Sequence, residues 1–376
     1  MGTVSIANTT ANVSGKTAVM AERDTAITGQ LSFNRQPSAP FVVQAASAKV
    51  TNLDADLLDG LHGPTGAIVG ISDTQTLTNK TLTSPKINTS ITSLSLFAGM
   101  CQGRLTLTTV TPVTTADVTG ATTIYFTPYG GNLVSTYDGT DTWTLWPFTE
   151  ISLALGTLTS GLPYDVFIYN NAGTLTLESL AWTNGTTRAT ALVLQNGVLV
   201  KSGATTRRYL GTFYTTSTTA TEDSVAKRYL WNYYNRQRRP LQLFVAGSTT
   251  WNYTTATIRQ ANGSTANQVE CVVGYAESIV NLFLQTTVSN ASAASVQIGV
   301  GVDSTTTFGS PGGYMLYPGT TSNPYSITAQ YDAIPVIGRH VYSWNEWGQA
   351  AGTTAWNQAS AGANNANGGL NGWVEG

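Results

Sequence analysis

Apolar residues between positions 45 and 63 recur at every third or fourth position, which is the spacing of one helix face. They are Val50, Leu53, Leu57, Leu58 and Leu61. Thr51 or Asn52 can cap the start of this helix, and the glycines at 60 and 63 end it. A helix this short is marginal alone in water, so its leucine face needs a partner. The partner is either the same helix in other copies of the chain, as a short coiled coil, or a neighbouring domain.

A sparser pattern covers residues 64–100. Leu77, Leu82 and Ile87 are five residues apart and are separated by Thr, Asn, Ser and other small or polar residues. Single apolar residues at this spacing cannot build a globular core, but they can form a thin shaft in which each chain contributes one apolar residue per layer. Residues 1–44 are polar and small apart from a compact cluster at 31–41. We expect this segment to attach to another assembly component, or else to be a partly ordered arm.

From residue 101 the pattern changes to short alternating runs bounded by turn residues, which predicts β-strands. Examples are 105–108, 123–126, 142–146, 164–169, 174–177 and 295–302. Asn196-Gly197 between two apolar runs predicts a two-residue hairpin, and Asn184-Gly185 is a second hairpin signal. We predict antiparallel, sandwich-like β domains over residues 101–237 and 238–348. A loosely packed Gly/Ala/Asn-rich extension is expected over residues 349–376.

Composition agrees with a mostly β chain. Only 10% of the 376 residues are charged, against roughly 25% in an ordinary domain, and threonine, which suits a pleated sheet, is abundant. Because charged edges normally keep sheets from aggregating, we expect the edges to be hidden where identical chains wind around one another. The net charge of -2 argues against a nucleic-acid partner. No apolar run approaches the roughly 18 residues of a membrane helix, and the N-terminus lacks a secretory signal pattern.

Two N-terminal segments resemble proteins of a known class. Residues 50–62, Val-Thr-Asn-Leu-Asp-Ala-Asp-Leu-Leu-Asp-Gly-Leu-His, resemble a helical segment that recurs in the tail fibres of tailed bacteriophages. Residues 73–87, Asp-Thr-Gln-Thr-Leu-Thr-Asn-Lys-Thr-Leu-Thr-Ser-Pro-Lys-Ile, are similar to a shaft signature of the same proteins. The resemblance implies a homotrimeric fibre or appendage of the virion. It does not identify which appendage this is, or what its distal part binds.

Side chains suited to catalysis are sparse. The chain has two histidines, His62 and His340, and we expect both to be structural, with His340 hydrogen-bonded to one carboxylate. Glycoside cleavage needs two convergent carboxylates, and the candidates are scattered along the sequence: Glu270, Glu277, Asp303 and Glu346. We therefore predict no enzymatic activity, no cofactor and no metal.

Three smaller features carry local predictions. Tyr137 to Trp143 partly resembles the Asp-box turn of sialidases and predicts a tight hairpin with Trp143 buried; calcium held by Asp138, Asp141 and loop carbonyls is the alternative. Cys101 and Cys271 are expected to be buried small side chains unless they form a disulfide. The basic cluster is expected to be a seam in which arginines stack on aromatic rings, not a nucleic-acid patch; it consists of Arg236, Arg238 and Arg239, with Tyr233 and Tyr234.

Aromatic residues in the last third give the strongest binding signal. Tyr and Trp rings can stack on flat sugar faces, although β cores and trimer interfaces also use them. The candidate glycan-binding residues are Trp251, Tyr253, Tyr314, Tyr317, Tyr325, Trp344 and Trp347.

These features together favour a homotrimeric, mostly β bacteriophage fibre in the virion, on tail or head, made in the cytoplasm of the bacterial host. The N-terminal region would contact other virion proteins, and the second β domain would bind a polysaccharide or protein of the host surface without catalysis or membrane insertion. The trimer would be held by Val50, Leu53, Leu57, Leu61, Leu77, Leu82 and Ile87. The alternatives are a head fibre or capsid decoration protein and, third, a polysaccharide-degrading tailspike.

Overall fold

The structure, a computed structural model, describes residues 97–246, 248–290, 292, 294–309, 314–316 (backbone only), 324–357 and 368–376. Residues 97–237 are here termed the first half and residues 238–376 the second half. Strands dominate both halves, and no α-helix occurs in the described residues. The prediction of a mostly β chain is therefore confirmed.

The predicted attachment arm (1–44), the helix (45–63) and nearly all of the shaft (64–100) lie outside the described residues. The same is true of all residues predicted to hold a trimer together. The coiled coil, the shaft and the trimer therefore stay predictions.

Most strands of the first half are short, and both consecutive and non-consecutive strands pair. They are β1 (Gly103–Thr106), β2 (Val118–Ala121), β3 (Thr123–Pro128), β4 (Leu133–Tyr137), β5 (Trp143–Pro147), β6 (Ile151–Ala154), β7 (Pro163–Asn171), β8 (Thr174–Ala181), β9 (Leu192–Gln195), β10 (Val198–Lys201), β11 (Ala204–Tyr214), β12 (Thr221–Asp223), β13 (Lys227–Arg228) and β14 (Leu230–Asn232).

The second half contains longer strands and a 3-10 turn at Ala261–Gly263. Its strands are β15 (Arg238–Val245), β16 (Trp251–Tyr253), β17 (Arg259–Gln260), β18 (Gln268–Val273), β19 (Val280–Asn290), β20 (Val296–Val302), β21 (Tyr314–Leu316), β22 (Tyr325–Ala333), β23 (Gly338–Gly348), β24 (Thr354–Trp356) and β25 (Gly368–Glu375).

Alternation of apolar and polar residues explains the second half. In β22, Ile327, Ala329 and Tyr331 are buried, while the residues between them are exposed, because successive side chains of a strand point to opposite faces. This face of β22 meets side chains of β18, β20 and β23 in one core cluster. The core therefore lies between two sheets. One has the order β15-β25-β19-β24-β16, with β22 also on β19, and the other contains β18-β23-β20-β21.

Strand β7 is buried on both faces, which explains its continuous apolar sequence. Val166 and Ile168 enter the main core of this half, whereas Phe167 packs on the opposite face with Tyr209, Trp231 and Val272. A strand covered on both faces reads as an uninterrupted hydrophobic run. Val272 belongs to β18 of the second half, so the two halves share this smaller cluster.

One sheet also crosses from half to half. Its order is β2-β12-β13-β18-β23-β20-β21, and β13 pairs with β18 in parallel, whereas all other described strand pairs are antiparallel. The domain boundary predicted near residue 237 thus separates two main cores that are joined by hydrogen-bonded strands.

The segment predicted to be a loosely packed extension, 349–376, contributes two strands to the second half. β24 pairs with β16 and β19, and β25 lies between β15 and β19. Leu370 and Val374 of β25 are buried in the core. After β25, Gly376 exchanges two backbone hydrogen bonds with Gln237. Where it is described, this segment is therefore packed, because Leu370 and Val374 supply the apolar face that its Gly- and Asn-rich neighbours lack.

The two hairpin signals had different outcomes. Asn196 and Gly197 both have positive φ, 52° and 82°, and connect β9 to β10, so that prediction is confirmed. The hairpin predicted at Asn184-Gly185 is wrong. No pair of strands adjoins this bend, which is closed by a hydrogen bond from the Thr183 amide to the Thr187 carbonyl. The Gly185 carbonyl accepts a hydrogen bond from the Arg339 amide of the second half.

Candidate functional site

Two of the predicted glycan-binding tryptophans are core residues. Trp344 is fully buried and Trp251 nearly so, and their rings pack edge to face with centroids 5.4 Å apart. Neither ring face is open to a ligand, so the structure assigns both residues to packing. Burial of a large aromatic ring is a dominant contribution to a core.

The predicted tyrosines are divided between partly exposed and undescribed positions. Tyr253 is partly exposed, and its ring lies 3.7 Å from the guanidinium of Arg259. Tyr325 is partly exposed at the start of β22. Tyr314 is described by its backbone only, and Tyr317 lies outside the described residues.

Trp347, one of the predicted glycan-binding residues, lines a cavity. It lies opposite Gln297 on the neighbouring strand, and both are partly exposed, whereas Ile298 and Glu346 point into the core. Directly opposed residues share one sheet face, so the indole and the amide lie side by side on the outside. Together with two loops they form a groove of about 490 Å³, here termed the Trp347 groove, lined by Ala256, Thr257, Ile258, Gln297, Thr306, Phe308 and Trp347.

A buried carboxylate holds one wall of this groove. Glu346, next to Trp347 on β23, accepts hydrogen bonds from Trp251 Nε1 at 2.8 Å, Arg259 Nε at 2.8 Å and the Asn262 amide at 3.3 Å. Tyr253 bonds to Thr257 across the same loop. Burial raises the pKa of Glu346 to about 7, against the lowering effect of Trp251 and Arg259. These hydrogen bonds hold the loop 254–258 against the core where the loop joins β16 and β17.

The groove has the chemistry of a neutral polar ligand site. Its rings and apolar side chains offer a stacking surface, and one amide and two hydroxyl groups can donate and accept hydrogen bonds. The residues that line it include no carboxylate, histidine, lysine or arginine. It can therefore bind a sugar-like molecule, but it supplies no acid–base pair of the kind that glycoside cleavage needs.

The four candidate carboxylates each have their own basic partner. Glu270 binds Arg339 and the Tyr229 hydroxyl, Glu277 binds Arg236, and Glu346 binds Arg259. Asp303 Oδ2 accepts a hydrogen bond from the His340 ring at Nδ1, 2.9 Å away. These partners place the four carboxylates in separate ion pairs. Within the described part of the chain, no group of three or more His, Cys, Asp or Glu residues could hold a metal ion.

His340 is the structural histidine that the sequence predicts. Its ring is buried between Asp303 and the Val336 carbonyl, 2.8 Å from Nε2. Burial lowers the pKa of His340, but the hydrogen bonds to Asp303 and the Val336 carbonyl and the charge of Asp303 together outweigh burial, and the net shift is upward. The partner Asp303 is distant in sequence, which is why the sequence could not name it. Cys101 and Cys271 are likewise buried as expected, and both are free thiols.

The basic cluster forms a seam, as predicted. Arg236 lies over the rings of Trp231 and Tyr233, at 5.5 and 5.9 Å, and Arg238 lies over Trp373 at 4.3 Å. Arg239 is buried and bonds to Asp223 Oδ2 at 3.0 Å. These arginines are therefore engaged with aromatic rings and carboxylates of the protein itself.

Sequence reasoning missed the groove residues other than Trp347. Gln297 could have been found by its place opposite Trp347, but Phe308 and Ile258 reach the groove from loops, and no periodic pattern marks them.

Comparisons with known proteins add little. No family model matches the chain, and no curated protein matches it. Two solved structures with weak likeness are the insecticidal delta-endotoxin Cry8Ea1 of Bacillus thuringiensis (5% identity, TM-score 0.22) and a Cry1Da tryptic core variant of the same species (8%, TM-score 0.17). Each match covers 68% of this chain and about half of the other, 49% and 48%. Likeness this weak carries no argument about fold or function. No helix in the described residues is long and apolar enough to cross a membrane.

Proposed function

We propose that this chain is a subunit of a homotrimeric bacteriophage fibre that binds a host-surface glycan without catalysis. The Trp347 groove carries the adhesive part of the proposal, because it combines partly exposed aromatic surface with neutral hydrogen-bonding groups, and its described lining residues include no ionisable side chain. The fibre part rests on the resemblance of residues 50–62 and 73–87 to phage tail fibres.

Trimerisation would compensate for the weak affinity of a single groove. An open groove with few polar groups binds a single sugar weakly, but three copies on one fibre engage a repetitive surface polysaccharide together. Linked sites gain overall affinity through effective concentration without any new contact.

The adhesive part is tested with fluorescently labelled full-length protein on a panel of bacterial strains. The wild-type chain is expected to bind cells of a susceptible host and to block phage adsorption. Trp347→Ala is expected to weaken cell binding by about tenfold or more. Trp373→Ala, which changes another partly exposed tryptophan outside the groove, is the matched control. Equal loss or equal retention in both variants would contradict a role for the groove.

The fibre part is tested separately by light scattering on the full-length protein. A mass near three times that of one chain is expected, and a monomer would contradict the fibre part whatever the binding result. Release of reducing ends from host polysaccharide would contradict the absence of catalysis. Virions that lack the protein, adsorb normally and lose integrity would favour the head-fibre or decoration alternative.

A further inference from the structure

A second groove lies in the first half, beside the hairpin formed by β4 and β5. It has a volume of about 210 Å³ and is here termed the Trp146 groove. Its lining residues are Thr136, Tyr137, Asp138, Thr144, Trp146, Asn170, Thr206 and Arg207, none of which belongs to the Trp347 groove. The predicted hairpin at this position is confirmed, since Tyr137 pairs with Trp143 and Trp143 is buried.

The turn of this hairpin fixes a carboxylate at the rim of the groove. Asp138 Oδ1 accepts backbone hydrogen bonds from Thr140, Asp141 and Thr142 at 2.8, 3.1 and 3.0 Å, and Oδ2 accepts one from the Thr140 hydroxyl at 2.9 Å. These bonds lower the pKa of Asp138 to about 2 although the side chain is exposed. The carboxylate is therefore ionised and oriented before any ligand arrives, and ionised acceptors form the stronger hydrogen bonds.

Two further side chains are fixed by their neighbours. The indole Nε1 of Trp146 donates to Thr136 Oγ1 at 2.9 Å, which sets the plane of the ring. The guanidinium of Arg207 lies 3.7 Å from the Tyr169 ring, and its Nε and Nη1 donate to Glu178 and Thr206 at 3.2 and 3.0 Å. Within the described residues, Arg207 Nη2 has no hydrogen-bond partner. Such pre-organised groups cost little ordering entropy when a ligand binds.

The charges of the groove exclude some ligand classes. Glu178 is shared by Arg207 and Lys201, but within the lining the single cation Arg207 is balanced by the ionised Asp138, which repels anions such as phosphate or sulfate. The volume is below the roughly 300–1,000 Å³ typical of drug-sized ligands. A small neutral molecule with several hydroxyl groups and one apolar face fits these limits.

We infer that the Trp146 groove binds one neutral hexose residue, stacked on the Trp146 indole, with neighbouring hydroxyl groups bound by Asp138, Asn170 and Arg207. The hydroxyl groups donate to the carboxylate and accept from the guanidinium, while the amide can do either. This inference does not depend on the proposed fibre function or on the Trp347 groove.

The test is saturation-transfer NMR on the full-length protein with four probes, D-glucose, D-galactose, D-mannose and N-acetyl-D-glucosamine, each titrated in the millimolar range with a calcium chelator present. At least one hexose is expected to bind the wild-type chain. Arg207→Met, which keeps the stem on Tyr169 but removes the donors, is expected to weaken that binding by about tenfold. Trp146→Phe, which keeps an aromatic ring in the strand, is expected to weaken it as well. Trp373→Ala, at a partly exposed tryptophan outside both grooves, is expected to leave it unchanged, and Trp347→Ala distinguishes binding here from binding in the Trp347 groove.

Several results would overturn the inference. One is the absence of binding by all four hexoses, and another is binding that is equally strong in Arg207→Met and Trp146→Phe. Loss of hexose binding in Trp347→Ala alone would assign the sugar to the other groove, which would support the proposed function and contradict this inference. Binding that appears only when calcium replaces the chelator would identify a cation site at Asp138 instead. Unchanged thermal unfolding midpoints of both variants confirm that they are folded.

Discussion

A buried cation in the first half and a buried acid in the second half are held by different kinds of group. In the first half, Arg208 is fully buried and has no carboxylate partner among the described residues, and its Nη1 donates to the carbonyls of Ala98, Met100 and Ser135 at 2.9, 2.8 and 2.9 Å. In the second half, the equally buried Glu346 is held by donors from Trp251, Arg259 and Asn262. The Arg208 cation is thus surrounded by main-chain oxygens, whereas the Glu346 acid is surrounded by N–H groups.

This difference has a consequence for pH. An arginine stays protonated at any ordinary pH and main-chain carbonyls do not titrate, so the Arg208 contacts are constant. A carboxylate can escape the cost of burial by taking up a proton, and burial raises the pKa of Glu346 to about 7. The comparison therefore predicts that the Arg208 contacts are insensitive to pH, whereas the stability that depends on Glu346 changes near neutrality.

The largest effect is expected from Arg208→Met. Methionine fills part of the space but removes the hydrogen bonds that the charged guanidinium donates to Ala98, Met100 and Ser135, and a hydrogen bond to a charged group contributes about 1.5–3 kcal/mol. Ser135 still donates to the Ala98 and Met100 carbonyls. We expect the free energy of unfolding to fall by about 3 kcal/mol or more, measured by urea denaturation. The control is Arg207→Met at the adjacent, partly exposed position, where loss of a surface ion pair costs about 1 kcal/mol or less. Equal losses in the two variants would contradict the structural role of Arg208.

The second effect concerns Glu346→Gln and pH. Because the pKa of Glu346 is raised in the native state, the native state binds more protons than the unfolded state between pH 4.5 and about 7. Stability from this group is therefore present at low pH and is lost as the pH rises through this window. We expect the wild type to lose stability between pH 5 and pH 8 by on the order of a few kcal/mol relative to Glu346→Gln. The check is urea denaturation of both proteins at the two pH values; parallel pH profiles would argue against a raised pKa.

A smaller effect is expected from Asp303→Asn. Asp303 has a φ of 52°, which asparagine tolerates, so the backbone should be kept while the charge beside His340 is lost. The pKa of His340 should fall, and the stability that the pair provides below pH 6.5, about 1 kcal/mol or less, should disappear. That stability is normally lost as the pH rises through the raised pKa of His340. NMR titration is simple because the chain has only two histidines; an unchanged His340 titration would rule out the coupling.

The last prediction concerns the two thiols, whose reactivity we expect to be the same in both halves. Burial raises the pKa of Cys101 and raises that of Cys271 to about 12, so neither should react with a thiol reagent in the native protein. One thiol lies in each half. Because a sheet and the Val272 cluster join the halves, both thiols should become reactive at the same urea concentration. Earlier labelling of one of them would show that the halves unfold separately.

Local patterns account for much of what could be predicted. Asn196-Gly197 specifies its own turn, since both residues adopt the positive φ that this hairpin requires. Asn184-Gly185 is the same dipeptide, but the Gly185 carbonyl accepts a hydrogen bond from the distant Arg339 amide. The sequence does not reveal this contact. The same dipeptide type therefore predicts correctly where strands adjoin it and fails where a distant segment decides the conformation.

The candidate site shows the same limit. Trp344 and Trp347 are three residues apart on β23 and so face opposite sides. Trp344 shares its face with the aromatic Tyr342, whereas Trp347 shares its face with the polar Ser343 and Asn345. This alternation separates the core tryptophan from the groove tryptophan, although Ser343 and Asn345 are themselves buried. That distinction was available from the sequence. The approach of Phe308 and Ile258 to Trp347 was not, because it depends on loops whose positions are set by tertiary contacts.

The position of β25 has a consequence for synthesis on the ribosome. β25 fills the space between β15 and β19, so these two strands leave the ribosome long before their shared neighbour does. Until residues 368–375 emerge, β15 and β19 have unpaired edges, which are the features through which nascent β proteins aggregate. A nascent chain interrupted before residue 368 would therefore be a substrate for chaperones and proteases, so that only chains carrying this strand would accumulate in folded form.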